Sequence, residues 1–245
     1  MNAVAPPGWR LRRYESLEST SDLCTTMASA GEPDRLAVLA ARQTHGRGSR
    51  GRTWQTLPGN LALSVLLRPA GPAAQAGQWA LLAAVALAEA IEAVAPGTAA
   101  RVKWPNDVML GDAKAGGILI DTALDAAGWL DWLVLGFGAN LAAAPDVPQP
   151  VAVVPGRPDP ARVAGALLVR LDHWDCVRLL DGFAPVRRAW LDRGPVPGST
   201  MRVRWGSTDL GGTFAGLGED GALLLQSGGR VRALPTGEVL QSNGG

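Results

Sequence analysis

The stretch Trp79–Val94 constrains this chain more than any other, because Glu89 and Glu92 are its only charged residues. A helix apolar around its whole circumference has to be buried. The window falls short of the roughly 20 residues that a membrane span requires, and Pro96-Gly97 stop it. It therefore reads as an interior helix over Gln75–Ala95, and the rest of the chain has to cover it. With 245 residues, 47% of them hydrophobic, the chain is long enough for one large domain, or a medium and a small one.

Composition removes several function classes. The 31 glycines and 18 prolines follow no period, which excludes a collagen-like chain, and the apolar share excludes global disorder. A formal net charge of +1 excludes a protein that coats nucleic acid or an anionic membrane by bulk electrostatics. Cys24 and Cys176 are too few for a disulfide framework and lack metal-ligand spacing, which fits a reducing compartment. Met1–Trp9 contains no apolar run of the kind a secretory signal carries. A soluble, cytoplasmic protein with no membrane partner is expected.

Around the apolar helix the chain alternates short strands and loops. A helix over Ser21–Ala30 has caps in Ser19–Ser21 and a stop at Gly31. Strands are predicted at Arg35–Ala41 and Asn60–Arg68, then at Arg101–Trp104, Val108–Leu110, Gly117–Asp121 and Trp129–Gly136. A Pro-rich loop spans Ala144–Pro160, followed by helical periodicity over Ala161–Trp174 and Asp181–Leu191. From Pro197 the texture changes to four or five short alternating segments separated by Gly-rich turns, which suits a small barrel. The boundary is expected near Gly194–Gly198, dividing residues 1–196 from 197–245. The fold class is α/β of the α+β type, a mixed central sheet with helices plus the small C-terminal barrel.

Four segments could carry chemistry. The densest, Gly46-Arg47-Gly48-Ser49-Arg50-Gly51-Arg52-Thr53-Trp54, puts three glycines and three arginines in one loop. Glycines let backbone N–H groups approach a ligand, and guanidinium forks match phosphate or carboxylate. The spacing matches neither a phosphate loop nor a dinucleotide fingerprint. The others are Lys103-Trp104-Pro105-Asn106-Asp107, Lys114-Ala115-Gly116-Gly117, and Gly136-Phe137-Gly138-Ala139-Asn140. Taken singly, these read equally as a turn, a solvated strand end and an ordinary strand exit. No His/Cys/carboxylate grouping suggests a transition metal.

In succession, Ser19-Thr20, Gln43 with GRGSRGRTW, KWPND, KAGGIL and GFGANL resemble the biotin–protein ligase family, over about Leu11 to Leu240. The resemblance implies a class II synthetase-like catalytic domain with an SH3-like C-terminal domain. It implies formation of biotinyl-5′-adenylate from biotin and ATP, then transfer of biotin to a lysine of a biotin carboxyl carrier domain, as in acetyl-CoA carboxylase. By the same resemblance Lys114 is the catalytic lysine, with Arg47 and Arg50 beside it in the catalytic set. Biotin is expected at Ser19, Thr20, Ser21, Gln43, Arg47, Gly48, Ser49, Trp54, Lys114 and Gly117. The nucleotide is expected at Gly46, Arg50, Arg52, Trp54, Lys103, Asn106, Asp107 and Asn140. Mg²⁺ is expected with ATP, its protein ligand unassigned, and a homodimer is compatible with the family.

The chain departs from the family twice. Ser49 stands where the loop commonly carries arginine (GRGRRGR), which implies faster release of the adenylate. Ser21 stands where the biotin stretch commonly carries asparagine, and its hydroxyl can still cap the helix. Some members add an N-terminal DNA-binding domain; 18 residues precede Ser19, too few for one, so no DNA partner is expected. The competing readings are a lipoate or other acyl-protein ligase, whose ligand lacks a ureido group, a non-catalytic binder of biotin or adenylate, and an RNA-binding module built on the Arg/Gly loop.

Overall fold

The computed structural model describes residues 5–243, with side chains through Leu240. Its larger sheet has seven strands: β1 (Arg10–Tyr14), β2 (Leu36–Ala40), β3 (Leu61–Leu67), β4 (Ala100–Lys103), β5 (Asp107–Leu110), β6 (Ala113–Leu124) and β7 (Leu130–Ala139). Their order is β1-β2-β3-β7-β6-β5-β4. Only β1 and β2 run parallel, so the sheet is mixed. Five further strands, β8 (Thr200–Trp205), β9 (Thr208–Leu217), β10 (Leu223–Ser227), β11 (Arg230–Leu234) and β12 (Glu238–Asn243), form an antiparallel sheet in the order β11-β10-β9-β8-β12. That second sheet fits an SH3-like module.

The period of two along each central strand sorts side chains to opposite faces. On β3, Leu61, Leu63, Val65 and Leu67 join the core around α2 (Ala76–Val94), with Leu133, Leu135 and Phe137 of β7. Leu66 and Val134 point the other way, to α1 (Thr20–Ser29), where they meet Cys24 and Ala28. α2 is buried along nearly its whole length, with α3 (Pro160–Asp181) and α4 (Ala184–Arg193) packed over it. Among the described residues Ala73–Val94 is the one helical stretch long and apolar enough to cross a membrane, and the fold encloses it. The same core continues into the second sheet through Trp190 and Phe214, whose ring centroids lie 6.4 Å apart.

Several elements differ from expectation. β1 carries three arginines in five residues, so it shows no apolar alternation; it is held as the sheet's edge, where charge is tolerated. β7 extends through Gly136–Ala139 instead of leaving a loop there. α3 continues to Asp181, where Gly182 stops it; the outward Leu179 and Leu180 disguise its periodicity. β6 begins at Ala113, so Lys114 lies within a strand and not before one.

Candidate active site

The face of the sheet toward α1 has a hollow made by small residues. The register places Ser64 opposite Gly136 and Ala62 opposite Gly138, and Gly138 and Gly136 opposite Gly117 and Leu119. Three glycines thus fall on one face of three adjacent positions, while Phe137 and Ala139 point into the core. Each glycine leaves room for a neighbour. A Cβ on Gly136 would overlap Ser21 Oγ, one on Gly138 would overlap the Trp54 ring, and one on Gly117 would sit 3.0 Å from Lys114 Nζ.

A β-bulge decides where Lys114 points. Between β5 and β6 the register steps from Val108↔Gly116 to Met109↔Lys114, leaving Ala115 as an extra residue. Without it, alternation would put Lys114 on the face of Gly116 and Ile118, against α2. With it, Lys114 shares the face of Gly117, as bulges do when they re-aim a side chain. The carbonyl of Ala115 accepts the backbone N–H of Asn140 at 2.7 Å. Lys114 Nζ lies 2.5 Å from Asp107 Oδ1 and 5.7 Å from the Trp54 ring centroid.

Two clefts adjoin at this lysine. The first is an open cleft of about 450 Å³, lined by Thr20, Ser21, Gln43, Arg47, Asn106 and Asp107, with the glycine floor. The second, also open, has about 620 Å³ and is lined by Arg52, Gln55 and Asn140 together with Pro145, Val147 and Val151. Gly48, Ser49, Trp54 and Lys114 line both. The wall of the second cleft is strapped to β6, since Lys114 N–H donates to Pro150 O at 3.0 Å and Ala152 N–H to Lys114 O at 2.9 Å. Asn140 Oδ1 and Trp54 Nε1 are buried without a hydrogen-bond partner among the described residues. A buried polar atom left unpaired is costly, so these two are ready acceptors and donors for a ligand.

The first cleft has an uncharged, pre-ordered end. Segments 15–19 and 41–45 continue the β1/β2 pairing, with Leu17 bridged to Gln43, which brings Gln43 to the first turn of α1. There Gln43 Oε1 accepts from Thr20 N–H at 2.8 Å and Thr20 O–H at 3.0 Å, while Nε2 donates to Thr56 at 2.9 Å. Ser64 Oγ lies 2.8 Å from Thr20 Oγ1 and 3.1 Å from Ser21 Oγ. Ser64 and Thr56 were not foreseen; the signal for Ser64 is a lone hydroxyl inside the apolar run Leu61–Leu67.

The Arg/Gly loop is ordered by its own backbone and by carboxylates. Gly48 N–H donates to Arg52 O and Trp54 N–H to Gly46 O, each at 2.8 Å, around a turn at Ser49–Gly51 in which Arg50 has φ +59°. Arg47 is forked onto Asp121 at 3.0 and 3.2 Å and reaches Asp22 at 2.7 Å. Partial burial works against its charge, but hydrogen bonds to those two carboxylates leave its pKa above the ordinary arginine value. Arg50 and Arg52 both pair with Glu238 of β12, Arg52 at 2.8 Å. Arg52 also donates to Ser49 Oγ at 3.0 Å.

Thr20, Ser21, Gln43, Arg47, Gly48, Ser49, Arg52, Trp54, Asn106, Asp107, Lys114, Gly117 and Asn140 therefore converge on the two clefts. Four expected residues do not line either one. Ser19 caps α1, its Oγ accepting from Asp22 N–H at 3.2 Å. Gly46 has no room for a Cβ beneath Trp54 O, which makes it a packing glycine. Lys103 sits at the end of β4 opposite Asp107. Arg50 is turned to Glu238. Asn106 lines the first cleft and braces β6, donating through Nδ2 to Ile118 O and accepting Ile118 N–H at 3.0 Å. Asp22, Asp121 and Glu238 were not foreseen, because nothing local marks a carboxylate as the partner of a distant arginine.

Comparison with known proteins points to one family. Residues 14–140 match the biotin/lipoate A/B protein ligase family. The biotin–[acetyl-CoA-carboxylase] ligase of Paracoccus denitrificans is 38% identical over 217 residues, covering 82% of this chain and 88% of that protein. A bifunctional ligase/repressor of Bacillus subtilis is 28% identical over 242 residues, covering 95% of this chain and 74% of its own. The biotin protein ligase of Aquifex aeolicus, solved with biotin and ATP, superposes with a TM-score of 0.80 at 23% identity, covering 96% and 99% of the two chains.

Proposed function

Because this chain belongs to the biotin/lipoate A/B protein ligase family, we propose that its two adjoining clefts are the biotin and nucleotide halves of one ligase site. The enzyme is an ATP-dependent biotin–protein ligase. The biotin carboxylate attacks the α-phosphorus of ATP, pyrophosphate leaves, and biotinyl-5′-adenylate forms. A lysine amine of the acceptor then attacks the acyl carbon of the mixed anhydride, forming an amide and releasing AMP. The acceptor is the biotin carboxyl carrier domain of a carboxylase.

One observation carries this reading: a cleft with an uncharged end of hydroxyls and an amide meets a second, larger cleft at a single lysine that lines both. The bicyclic head of biotin offers two N–H donors and a carbonyl, matched by Thr20, Ser21 and Gln43. Its carboxylate then points toward Lys114. Two anions, the carboxylate and the α-phosphate, have to approach each other there. A fixed cation between them offsets their repulsion and stabilises the charge that builds up in the transition state. Lys114 does this by exchanging Asp107 for the substrate oxygens. Asn140 and Trp54 supply the buried polar groups of the nucleotide side. The Arg/Gly loop, lying across both clefts at Gly48 and Ser49, keeps water from the anhydride.

Among the described residues no three His, Cys, Asp or Glu side chains group as a metal cage, and Asp107 is the one carboxylate lining either cleft. This fits Mg²⁺ that would be held mainly by ATP phosphates, with Asp107, beside Lys114 in the first cleft, as the carboxylate available to it. When bound, the ion would screen phosphate charge.

Biotin-dependent ATP–pyrophosphate exchange tests the assignment. Exchange with biotin, absent with lipoate, is expected. Exchange that follows lipoate, or no exchange with either acid, overturns it.

A further inference from the structure

We infer that Ser64, which lines neither cleft, is a positioning residue that sets the direction of the hydroxyls facing the ligand and so selects a ring that donates N–H groups. The inference rests on the biotin reading above. Four side chains form an unbranched chain, Gln43–Thr20–Ser64–Ser21, with contacts of 3.0, 2.8 and 3.1 Å. All are uncharged, and Thr20, Ser21 and Ser64 are buried.

The backbone fixes which way every proton in this chain points. Thr20 N–H can only donate, so the Gln43 atom 2.8 Å from it is the carbonyl oxygen Oε1. The Thr20 hydroxyl faces that same oxygen and must also donate to it, which uses its one hydrogen. Toward Ser64, Thr20 is then an acceptor, and Ser64 donates. With its hydrogen spent, Ser64 can only accept from Ser21, so Ser21 turns its hydrogen away from the cleft. The cleft sees lone pairs at Thr20 and Ser21. At Gln43 it sees the second hydrogen of Nε2, the first being held by Thr56. Two acceptors and a donor are the complement of a cyclic urea, whose N–H groups and carbonyl lie side by side. A dithiolane or a plain acyl chain offers no partner for them.

Ser64 is therefore the relay through which one backbone N–H orients Ser21. Alanine at this position would fill nearly the same space but break the relay. The Ser21 hydroxyl would then be free to turn its hydrogen into the cleft and would accept or donate equally.

The test compares binding of biotin with binding of a cyclic-carbamate analogue, in which one ring N–H is replaced by oxygen. The native chain is expected to prefer biotin by about tenfold or more, since the analogue sets a lone pair against a lone pair. In Ser64→Ala, biotin affinity falls by about tenfold, the preference collapses toward unity, and the KM for ATP is unchanged. Equal proportional losses for both ligands, or no loss for either, would mean that Ser64 only packs and would overturn the proposal. Thermal unfolding checks that the variant is folded. If it is not, Ser64→Cys, similar in volume but a weak donor, carries the same comparison. A native chain that binds no biotin at all overturns the ligase reading, and this one with it, before any variant is made.

Discussion

The two halves of the site are built on opposite physical plans. The half formed by Thr20, Ser21, Gln43 and Ser64 is uncharged, with its three hydroxyls buried, and its hydrogen bonds are made before any ligand arrives. The half formed by the Arg/Gly loop is half-exposed. Its three arginines are each held by a carboxylate: Asp22 and Asp121 for Arg47, Glu238 for Arg50 and Arg52. A neutral ring is best recognised by groups already oriented in low dielectric, where an unpaired polar atom is expensive. A multiply charged nucleotide is better met by cations whose existing partners are exchangeable, because exposed ion pairs contribute only about 0–1 kcal/mol. Lys114 stands at the seam, paired with Asp107 and a quarter exposed, and serves both.

The largest expected effect lies at that seam. Lys114→Ala should lower biotin-dependent pyrophosphate exchange by about 100- to 1,000-fold, the usual cost of losing one oriented charge-stabilising group, with the melting temperature little changed. Wild-type exchange in the variant would return Lys114 to a solvated strand end. Next come the glycines. Gly138→Ala drives a Cβ into the Trp54 ring that both clefts share, so KM should rise for biotin and ATP together. Gly136→Ala crowds Ser21 and should raise only the biotin KM. Each is expected to cost about 1–3 kcal/mol in stability, as overpacking does. If Gly138→Ala affected one substrate alone, the shared wall would be disproved.

Smaller effects separate the halves further. Ser49 lines both clefts and holds Arg52, yet it places no cation over the intermediate. Ser49→Arg should slow release of biotinyl-adenylate by about tenfold, within the 1–3 kcal/mol expected of a charge-assisted hydrogen bond; equal off-rates would reject this. Raising ionic strength from about 0.05 to 0.5 M should weaken ATP binding several-fold through screening. Biotin binding, read in the same calorimetric titration, should hardly move. The smallest effect concerns Cys24, buried on α1 behind the hydroxyl chain, whose pKa burial pushes up from 9.0 to about 12 against the lowering influence of Arg12. The folded state favours the protonated thiol, so this contribution to stability is complete below about pH 9 and lost as pH rises toward 12. Cys24→Ala should flatten the alkaline part of the stability profile measured by denaturant unfolding.

Much of this was legible in the chain. The apolar helix, the strand runs and the order of the motifs follow from local rules of periodicity, capping and glycine placement. Thr20, Gln43, Trp54, Lys114 and Asn140 stand out through the family resemblance of their motifs in succession, since each segment taken singly reads as ordinary. Gly46 and Ser19 lie outside both clefts, and a glycine needed for close packing, or a serine needed for a cap, is the same letter as one needed for a ligand. Ser64 went unread because a single hydroxyl in an apolar strand carries no signal about what it faces.

By itself, then, the sequence determined which elements form and which chemical groups are available, since those depend on interactions within a few residues. Only the tertiary structure decided which way the groups point. One extra residue at Ala115 inverts the face on which Lys114 lies. Strand register stacks Gly117, Gly136 and Gly138 into a single hollow, and carboxylates from α1, β6 and β12 reach the loop arginines across 25, 74 and more than 180 positions of chain. Faces and partners of that kind are set by parity and by closure of the whole sheet, which no local window of sequence contains.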